Sequence, residues 1–541
     1  MISFNWLRDR QTYRDFLWIA LLGLAVQGFW ALRLQHPSYF DAYYYTDNAQ
    51  RLADGDGLTE EIVWIYLDAP DSLPAPSFTY WMPLTSLLGA VGYWLSGTWR
   101  GGQLPFWLLA GLLPWLGYAI SWQLTMALPL PSRRRQARTA ALFTMAGGYY
   151  AAYWVQPTTF VLFAWIGGGC LLALALAASS QLTRRQTAVS WMVAGLLTGL
   201  AHLTRADGLL LFGAGGLVWL WQVKDWRGEV EKAYSFKALV LHLVIFLGGY
   251  LLVMGGWFWR TYQLIGAPMS PVGTQTIFLT SYNDLFAYGR SFDLNSYLAW
   301  GWRNILMSKL EASWLALQTF IAVTGLTVFT FFFVWAWIRL GRDEKTGRWL
   351  RPFTIYTLVL YLVMALIFTF PGQRGSLLHS STAIWPWSMP LAVAGVDMAV
   401  DWVASRRSSW HPGQAKRLFG AVFVVIVFVV TLAVAGGQPL ADVEAAVYGE
   451  VAAVLPADAV VMIGTAPDFY YHTGLRAVAV PNEPPDVLLT IAQRYGVNYL
   501  LLDADRPPIL NDLYSGAAQY PHIEQVQTFD DGFVLYRFSL E

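Results

Sequence analysis

The sequence predicts a polytopic α-helical membrane protein of about eleven spans, with a smaller α/β domain at its C-terminal end. Three observations predict it. Of 541 residues, 56% are apolar and 13% charged, where a soluble chain of this size carries about a quarter charged residues. The charge is also clustered, so that long apolar stretches are separated by short runs rich in Lys and Arg. Finally, residues 437–541 change texture, with more carboxylates, turn residues and short strand-like runs.

Apolar stretches long enough to span fall near residues 16–34, 104–129, 139–155, 160–180, 187–203, 208–223, 237–257, 313–338, 352–370, 383–403 and 418–436. With the N-terminus cytoplasmic, the inward segments carry Arg8, Arg10 and Arg14, then SRRRQAR, TRR, VKDWRGEVEK, IRLGRDEKTGRWLR and SRRSSWHPGQAKR. With Lys237, these hold 22 of the 35 Lys and Arg; outward segments before residue 437 hold 9, and the tail holds 4. This positive-inside bias sets the expected orientation in a cytoplasmic membrane. The apolar piece YWMPLTSLLGAVGYWLSG, residues 80–97, is read as an amphipathic or re-entrant element at the outer surface, because counting it as a span would put SRRRQAR outside.

Three regions then face outward: a first loop 35–103, a second loop 258–312 and the terminal domain 437–541. In the last, AVVMIG, NYLLLD and FVLYRF read as strands, and PDVLLTIAQRYGVNYLLLD as a helix feeding a strand. Zero net charge gives no sign of a nucleic-acid partner. Cys170 is the single cysteine, which excludes a disulfide within the chain.

The first loop is acidic, with eight carboxylates and one Arg between residues 36 and 79. Within YFDAYYYTDNAQRLADGDG, residues 39–57, Thr46–Ala53 has helical character and Gly55 and Gly57 can stop it, with Asp41 expected to precede the helix. Such a helix presents Tyr45, Ala49 and Leu52 toward one side. A carboxylate there can accept a proton from a sugar hydroxyl as a bond to a good leaving group breaks, since its free pKa of about 3.9 makes it a weak base beforehand. It can equally hold a divalent cation beside a phosphate. Asp41 is the candidate catalytic group, against a structural cap. Asp47 is a secondary candidate for substrate binding, against a solvent-facing position on the short helix. Asp54 and Asp56 read as turn residues.

Two further outward turns carry polar groups. In GLAHLTRADGLLLF, residues 199–212, Arg205 either pairs with Asp207 to close the turn or faces an anionic headgroup, whose oxygens its planar guanidinium matches. His202 reads as packing. In FPGQRGSLLHSSTAIWPW, residues 370–387, Arg374 and His379 are suited to cradle phosphate, against a role in interfacial anchoring. Walker, dinucleotide-binding and HExxH patterns are all absent. An enzyme working outside the cell lacks ATP and nucleotide sugars, so its substrate must be delivered across the bilayer, for example as a sugar on a polyprenyl phosphate.

These residues resemble a known family, the GT-C class of membrane glycosyltransferases, in particular bacterial protein O-mannosyltransferase-like (dolichyl-phosphate-mannose-protein mannosyltransferase-like) and lipid A aminoarabinose transferase-like enzymes. The resemblance rests on D-x-x-x-Y at Asp41 and Tyr45, then Ala49 and Leu52, then Gly55 and Gly57, on the proline-containing segment 80–97, and on GLAHLTRADG. It implies inverting transfer of a sugar from a polyprenyl-phosphate donor to a lipid, glycan or protein acceptor. Asp41 matches the family's acidic residue beside the acceptor hydroxyl, Tyr45 would support its loop, and Arg205 and Arg374 would hold the lipid phosphate. Two positions depart from the pattern. Ala42 stands where many relatives carry a second carboxylate, which leaves metal dependence open, and Met82 stands where many aminoarabinose transferase-like members carry Lys. A lipid-linked sugar transporter would place polar groups near the membrane midplane in paired repeats, whereas here they gather at span ends. An inactive scaffold of the same fold would fit Ala42.

Overall fold

The computed structural model describes residues 9–68, 70–179, 182–227, 235–407, 409–438 and 444–539. Arg8, Lys232 and residues 439–443 at the head of the terminal region lie outside them. Among the described residues, nine helices are long and apolar enough to cross a membrane: Arg10–Arg33, Trp99–Leu124, Thr159–Ala177, Arg184–Thr204, Ala206–Asp225, Phe236–Ile265, Glu344–Leu366, Thr369–Ala404 and Pro412–Gly436. A bent pair, Trp302–Thr324 and Thr327–Gly341, meets at 93°, a geometry that fits either one broken span or a re-entrant loop.

Two expected spans therefore change. The one near 139–155 is a helix over Leu130–Ala146 with Arg133, Arg134, Arg135 and Arg138 in its first half, and it stops where the sequence reading lets it run on. Gly147 and Gly148 take φ of +81° and +56°, a left-handed backbone that breaks an α-helix and that glycine adopts without a Cβ clash. Short 3₁₀ turns follow at Gly148–Tyr150 and Tyr153–Val155. This irregular backbone is buried and bonded inside the bundle: Gly148 N donates to Thr431 Oγ1 at 3.2 Å, and Gln438 Nε2 donates to the Tyr149 carbonyl at 3.2 Å. The expected span 313–338 begins earlier, at Trp302, and breaks after a π turn over Phe320–Thr324, with Leu326 at φ +47°.

The chain forms two compact units. The first comprises Met1–Arg33, Gln103–Gln263 and Ser308–Gln438. Its helices approach closely where side chains vanish: a Cβ on Gly23 would sit 2.1 Å from the Gly111 carbonyl oxygen. The arginine-rich helix Leu130–Ala146 is held by buried carboxylates. Arg138 Nη2 donates to Asp15 Oδ1 at 2.7 Å, Tyr118 OH donates to Asp15 Oδ2 at 3.2 Å, and Arg135 and Gln136 both donate to Asp397. Arg134 reaches Asp9 at 2.6 Å, and Arg133 lies over the Trp122 ring.

The second unit comprises Leu34–Gly102, Leu264–Met307 and Pro439–Glu541. It gathers, to within a few residues, the three regions that the basic-residue count placed on one side. Its centre is a six-stranded sheet of order β2-β5-β4-β6-β8-β7, formed by β2 Ile62–Val63, β4 Val460–Ile463, β5 Arg476–Ala479, β6 Tyr499–Leu502, β7 Ile523–Thr528 and β8 Val534–Phe538. A two-stranded piece pairs β1 Thr59–Glu60 with β3 Ala75–Pro76. The expected helix-to-strand unit is helix Pro485–Tyr495, a left-handed Gly496 and β6. The sheet is not confined to the terminal region. Its edge strand β2 comes from the first loop, pairing Ile62 with Ala477 and Val63 with Val478 in parallel. The second loop is tied in by Arg290, whose Nε donates to Glu483 Oε1 at 2.6 Å and whose Nη1 reaches Asp284 at 3.1 Å.

Helix Leu84–Ser96 packs in this unit against helix Phe40–Asp54. At 13 residues it is shorter than the roughly 20 needed to span. It buries Thr85, Ser86, Gly89, Gly92 and Tyr93, and exposes Leu87, Val91, Trp94 and Leu95, with Trp94 74% exposed. Burying small residues while exposing large apolar ones suits a helix whose outer face meets lipid.

Candidate active site

In the second unit the candidates sit on one helix, Phe40–Asp54. It starts six residues before the expected Thr46, because burial of Tyr43, Tyr44 and Tyr45 extends it, and it stops as expected at Gly55, φ +93°, whose N–H caps the Arg51 carbonyl. Asp41 thus lies in the helix's first turn rather than before it, half-buried, where the positive end of the helix dipole favours a carboxylate. Tyr45, four residues on, shares its face, and the Tyr45 carbonyl accepts from Ser86 Oγ at 2.9 Å.

The other two tyrosines point elsewhere. Tyr44 OH donates to Glu60 Oε2 at 2.9 Å, and burial, then the Glu60 charge, pushes its phenol far above the usual range near 10. Tyr43 OH lies 3.0 Å from His36 Nδ1 and 3.3 Å from His472 Nε2, with its ring against Tyr471. Arg51 is occupied at the helix end by the Thr59 carbonyl, Asp56 and Glu61.

Asp47 does not face solvent. It is 6% exposed, and its Oδ2 has no hydrogen-bond partner among the described residues. Helix Ala466–Thr473 brings Asp468 near it. Burial, and next the charge of Asp468, push the Asp47 carboxyl well above the ordinary carboxylate range, against a smaller pull from Arg51. Asp468 is itself buried, accepting from Tyr448 OH at 3.2 Å. Both Asp468 and His472 were missed by sequence reasoning, since nothing in DFYYHTG marks contact with a helix near the other end of the chain.

In the first unit, Arg205 follows helix Arg184–Thr204 and makes the local ion pair: Nε to Asp207 Oδ1 at 3.0 Å and Nη2 to Asp207 Oδ2 at 3.2 Å. Its remaining nitrogen, Nη1, is 3.5 Å from Thr159 Oγ1, which is 2.7 Å from His379 Nδ1. The fold therefore joins Arg205 to His379 through Thr159, an ordinary threonine opening an apolar helix that carried no sequence signal. His379 is buried and stacked on Phe160 at 3.8 Å. Arg374, on the turn Gly372–Ser376, is exposed. Nearby in the chain, Thr369 receives a hydrogen bond from Lys309, a cation that drew no notice in the sequence. His202 packs as expected, its Nδ1 2.8 Å from Tyr250 OH. No group of three or more His, Cys, Asp or Glu that could hold a metal ion occurs among the described residues.

The chain matches no protein-family model and no curated protein sequence. Among solved structures it aligns with ArnT from Cupriavidus metallidurans bound to undecaprenyl phosphate, with a TM-score of 0.57 over 96% of this chain and 97% of that one, at 15% sequence identity. The chain shares the fold of that ArnT structure. ArnT from the same organism in the apo state aligns with a TM-score of 0.42 at 14% identity, over 97% of each chain.

Proposed function

We propose that the protein is a glycosyltransferase that moves a sugar from a polyprenyl-phosphate-linked donor to an acceptor hydroxyl at the outer face of the cytoplasmic membrane, inverting the anomeric centre. The observation that carries this reading is the shared fold with ArnT, crystallised with undecaprenyl phosphate. The N-terminus is cytoplasmic and the second unit extracytoplasmic, on the strength of the basic-residue distribution.

Asp41 accepts the proton of the attacking hydroxyl as the bond from the anomeric carbon to the phosphate oxygen breaks, so no free alkoxide forms. Tyr45, on the same helix face, fixes the geometry around it. Arg374, exposed on its turn, takes the lipid phosphate as charge grows on the leaving group. Arg205 and His379, linked through Thr159, support that phosphate from the bundle. A divalent cation beside the phosphate would do similar electrostatic work.

The test is a reconstituted assay with a panel of polyprenyl-phosphate sugars, reading lipid, glycan and peptide acceptors by mass. Transfer by the wild type that disappears in Asp41→Asn, with insertion unchanged, supports the reading; full activity in Asp41→Asn removes Asp41 from the chemistry.

A further inference from the structure

Within the first unit, the contacts of Thr159 fix where the hydrogens sit on the buried His379 ring. Thr159 opens helix Thr159–Ala177 and is fully buried. Its Oγ1 lies 2.7 Å from His379 Nδ1 and 3.5 Å from Arg205 Nη1. A guanidinium has no acceptor, so Arg205 donates to Thr159. Among the described residues, His379 Nδ1 is then the one acceptor that the Thr159 hydroxyl hydrogen meets. Thr159 therefore donates to Nδ1, which carries no hydrogen, and the ring's own hydrogen sits on Nε2. The two other forms, Nδ1–H and the doubly protonated ring, each make Nδ1 a donor. Each would leave a buried hydroxyl hydrogen without an acceptor, the costlier arrangement.

The ring is held in place as firmly as its hydrogens. Phe160, the next residue of the same helix, stacks on it at 3.8 Å with 14° between the planes. The backbone around it is pinned as well: Thr382 Oγ1 donates to the His379 carbonyl at 2.7 Å, and Tyr356 OH to the Ser380 carbonyl at 2.9 Å. The far edge of the ring faces the turn that carries Arg374. A Cβ on Gly375 would come 3.9 Å from Nε2 and 3.7 Å from Cδ2. Gly375 takes φ of +149°, a position that favours glycine, which itself places no side chain over that edge.

We propose that Thr159 is a positioning residue that sets His379 in its Nε2–H form, so that the ring offers an N–H, on the side of the Arg374 turn, to the phosphate of a polyprenyl phosphate. Which imidazole nitrogen is protonated is set by the hydrogen bond that the other one makes. A hydrogen on Nδ1 alone would turn the Nε2 lone pair toward the phosphate and repel it. The phosphate contact rests on the sugar-donor reading above; the form of the ring does not.

The test is solid-state NMR on the full chain in proteoliposomes with isotope-labelled histidine, in which protonated and unprotonated ring nitrogens resonate apart. His379 precedes Ser380, the one His–Ser step in the sequence, so it is assigned without a variant. The wild type should show hydrogen on Nε2 and none on Nδ1. Undecaprenyl phosphate should shift the Nε2 resonance, and undecaprenol, which lacks the phosphate, should not. Thr159→Val keeps the shape and removes the hydroxyl. It should move hydrogen onto Nδ1 and weaken undecaprenyl phosphate binding about tenfold, with undecaprenol unaffected. Thr159→Ser should restore both to within about twofold of the wild type. Hydrogen on Nδ1 in the wild type overturns the proposal, and that spectrum decides even where Thr159→Val fails to insert. So does a Thr159→Val protein whose ring form changes with no change in undecaprenyl phosphate binding, or one that loses undecaprenol equally, the mark of a packing defect. Hydrogen on Nδ1 in a wild type that binds undecaprenyl phosphate removes the role of Thr159 and leaves the sugar-donor reading standing. The expected ring in a wild type that does not bind it removes that reading, and the phosphate contact with it.

Discussion

The two sets of candidate residues settle their charge in opposite ways. In the first unit, Arg205 has its counter-ion two residues away, and Asp207 engages it through two hydrogen bonds. In the second, Asp47 has a basic residue one helical turn away, yet Arg51 is occupied by Thr59, Asp56 and Glu61, and the strongest charge on Asp47 is the like charge of Asp468. An ion pair closed within a turn survives whatever packs around it. A carboxylate whose neighbour arrives from the far end of the chain instead has its carboxyl pushed up, by burial first and then by that like charge.

Asp41 gives the largest expected effect, since it is the group proposed to accept the hydroxyl proton and is less deeply buried than Asp47. Asp41→Asn should lower transfer by about 10²- to 10⁴-fold, measured as single-turnover rate in proteoliposomes, with no change in thermal unfolding. A matching loss of stability would make Asp41 a helix-end contact like the others.

Arg205→Ala comes next. It leaves Asp207 unpaired at 13% side-chain exposure, and should cost about 3 kcal/mol of stability, read by thermal unfolding in detergent. Arg205→Ala/Asp207→Ala should recover most of that loss. Donor affinity that stays low in the recovered double variant marks Arg205 as a phosphate contact; affinity that returns with stability leaves it a turn closure.

Arg374→Ala sharpens the contrast within the first unit. An exposed guanidinium should change stability by less than about 0.5 kcal/mol, while weakening donor binding about tenfold, the value of one charge-assisted hydrogen bond. Titration with a labelled polyprenyl phosphate separates the two.

Asp47→Asn should be the mildest and depends on pH. Below the ordinary carboxyl value near 3.8, Asp47 is protonated whether the chain is folded or not, and contributes nothing. Above it the unfolded form ionises while the folded form keeps its proton, so wild-type stability falls as pH rises toward the raised folded value. Asp47→Asn should therefore unfold later than the wild type at pH 7–8, with the gain shrinking as pH falls toward the ordinary carboxyl value. A gain that is constant across pH would mean that Asp47 is ionised in the folded protein.

Legibility followed the range of the interaction. Gly55 stops its helix as expected because a left-handed cap is a local event, and β4, β6 and β8 lie where AVVMIG, NYLLLD and FVLYRF place them. The break at Gly147–Gly148 was hidden, because an apolar count continues through glycines that could equally sit inside a membrane helix. Strand β2 left no trace: two residues show no alternation, and only pairing with Ala477 and Val478 makes them a strand.

Composition determined by itself that this chain is built on a bundle of membrane helices, because transfer to lipid is summed residue by residue. It also reached the acidic loop around Asp41, since its charge density is a property of sequence alone. Only the tertiary structure decided that the three regions form one unit around a shared sheet, that Asp47 is buried beside Asp468, and that Thr159 joins Arg205 to His379. Those outcomes depend on pairs of residues far apart in the chain, whose meeting is fixed by packing rather than by any local preference.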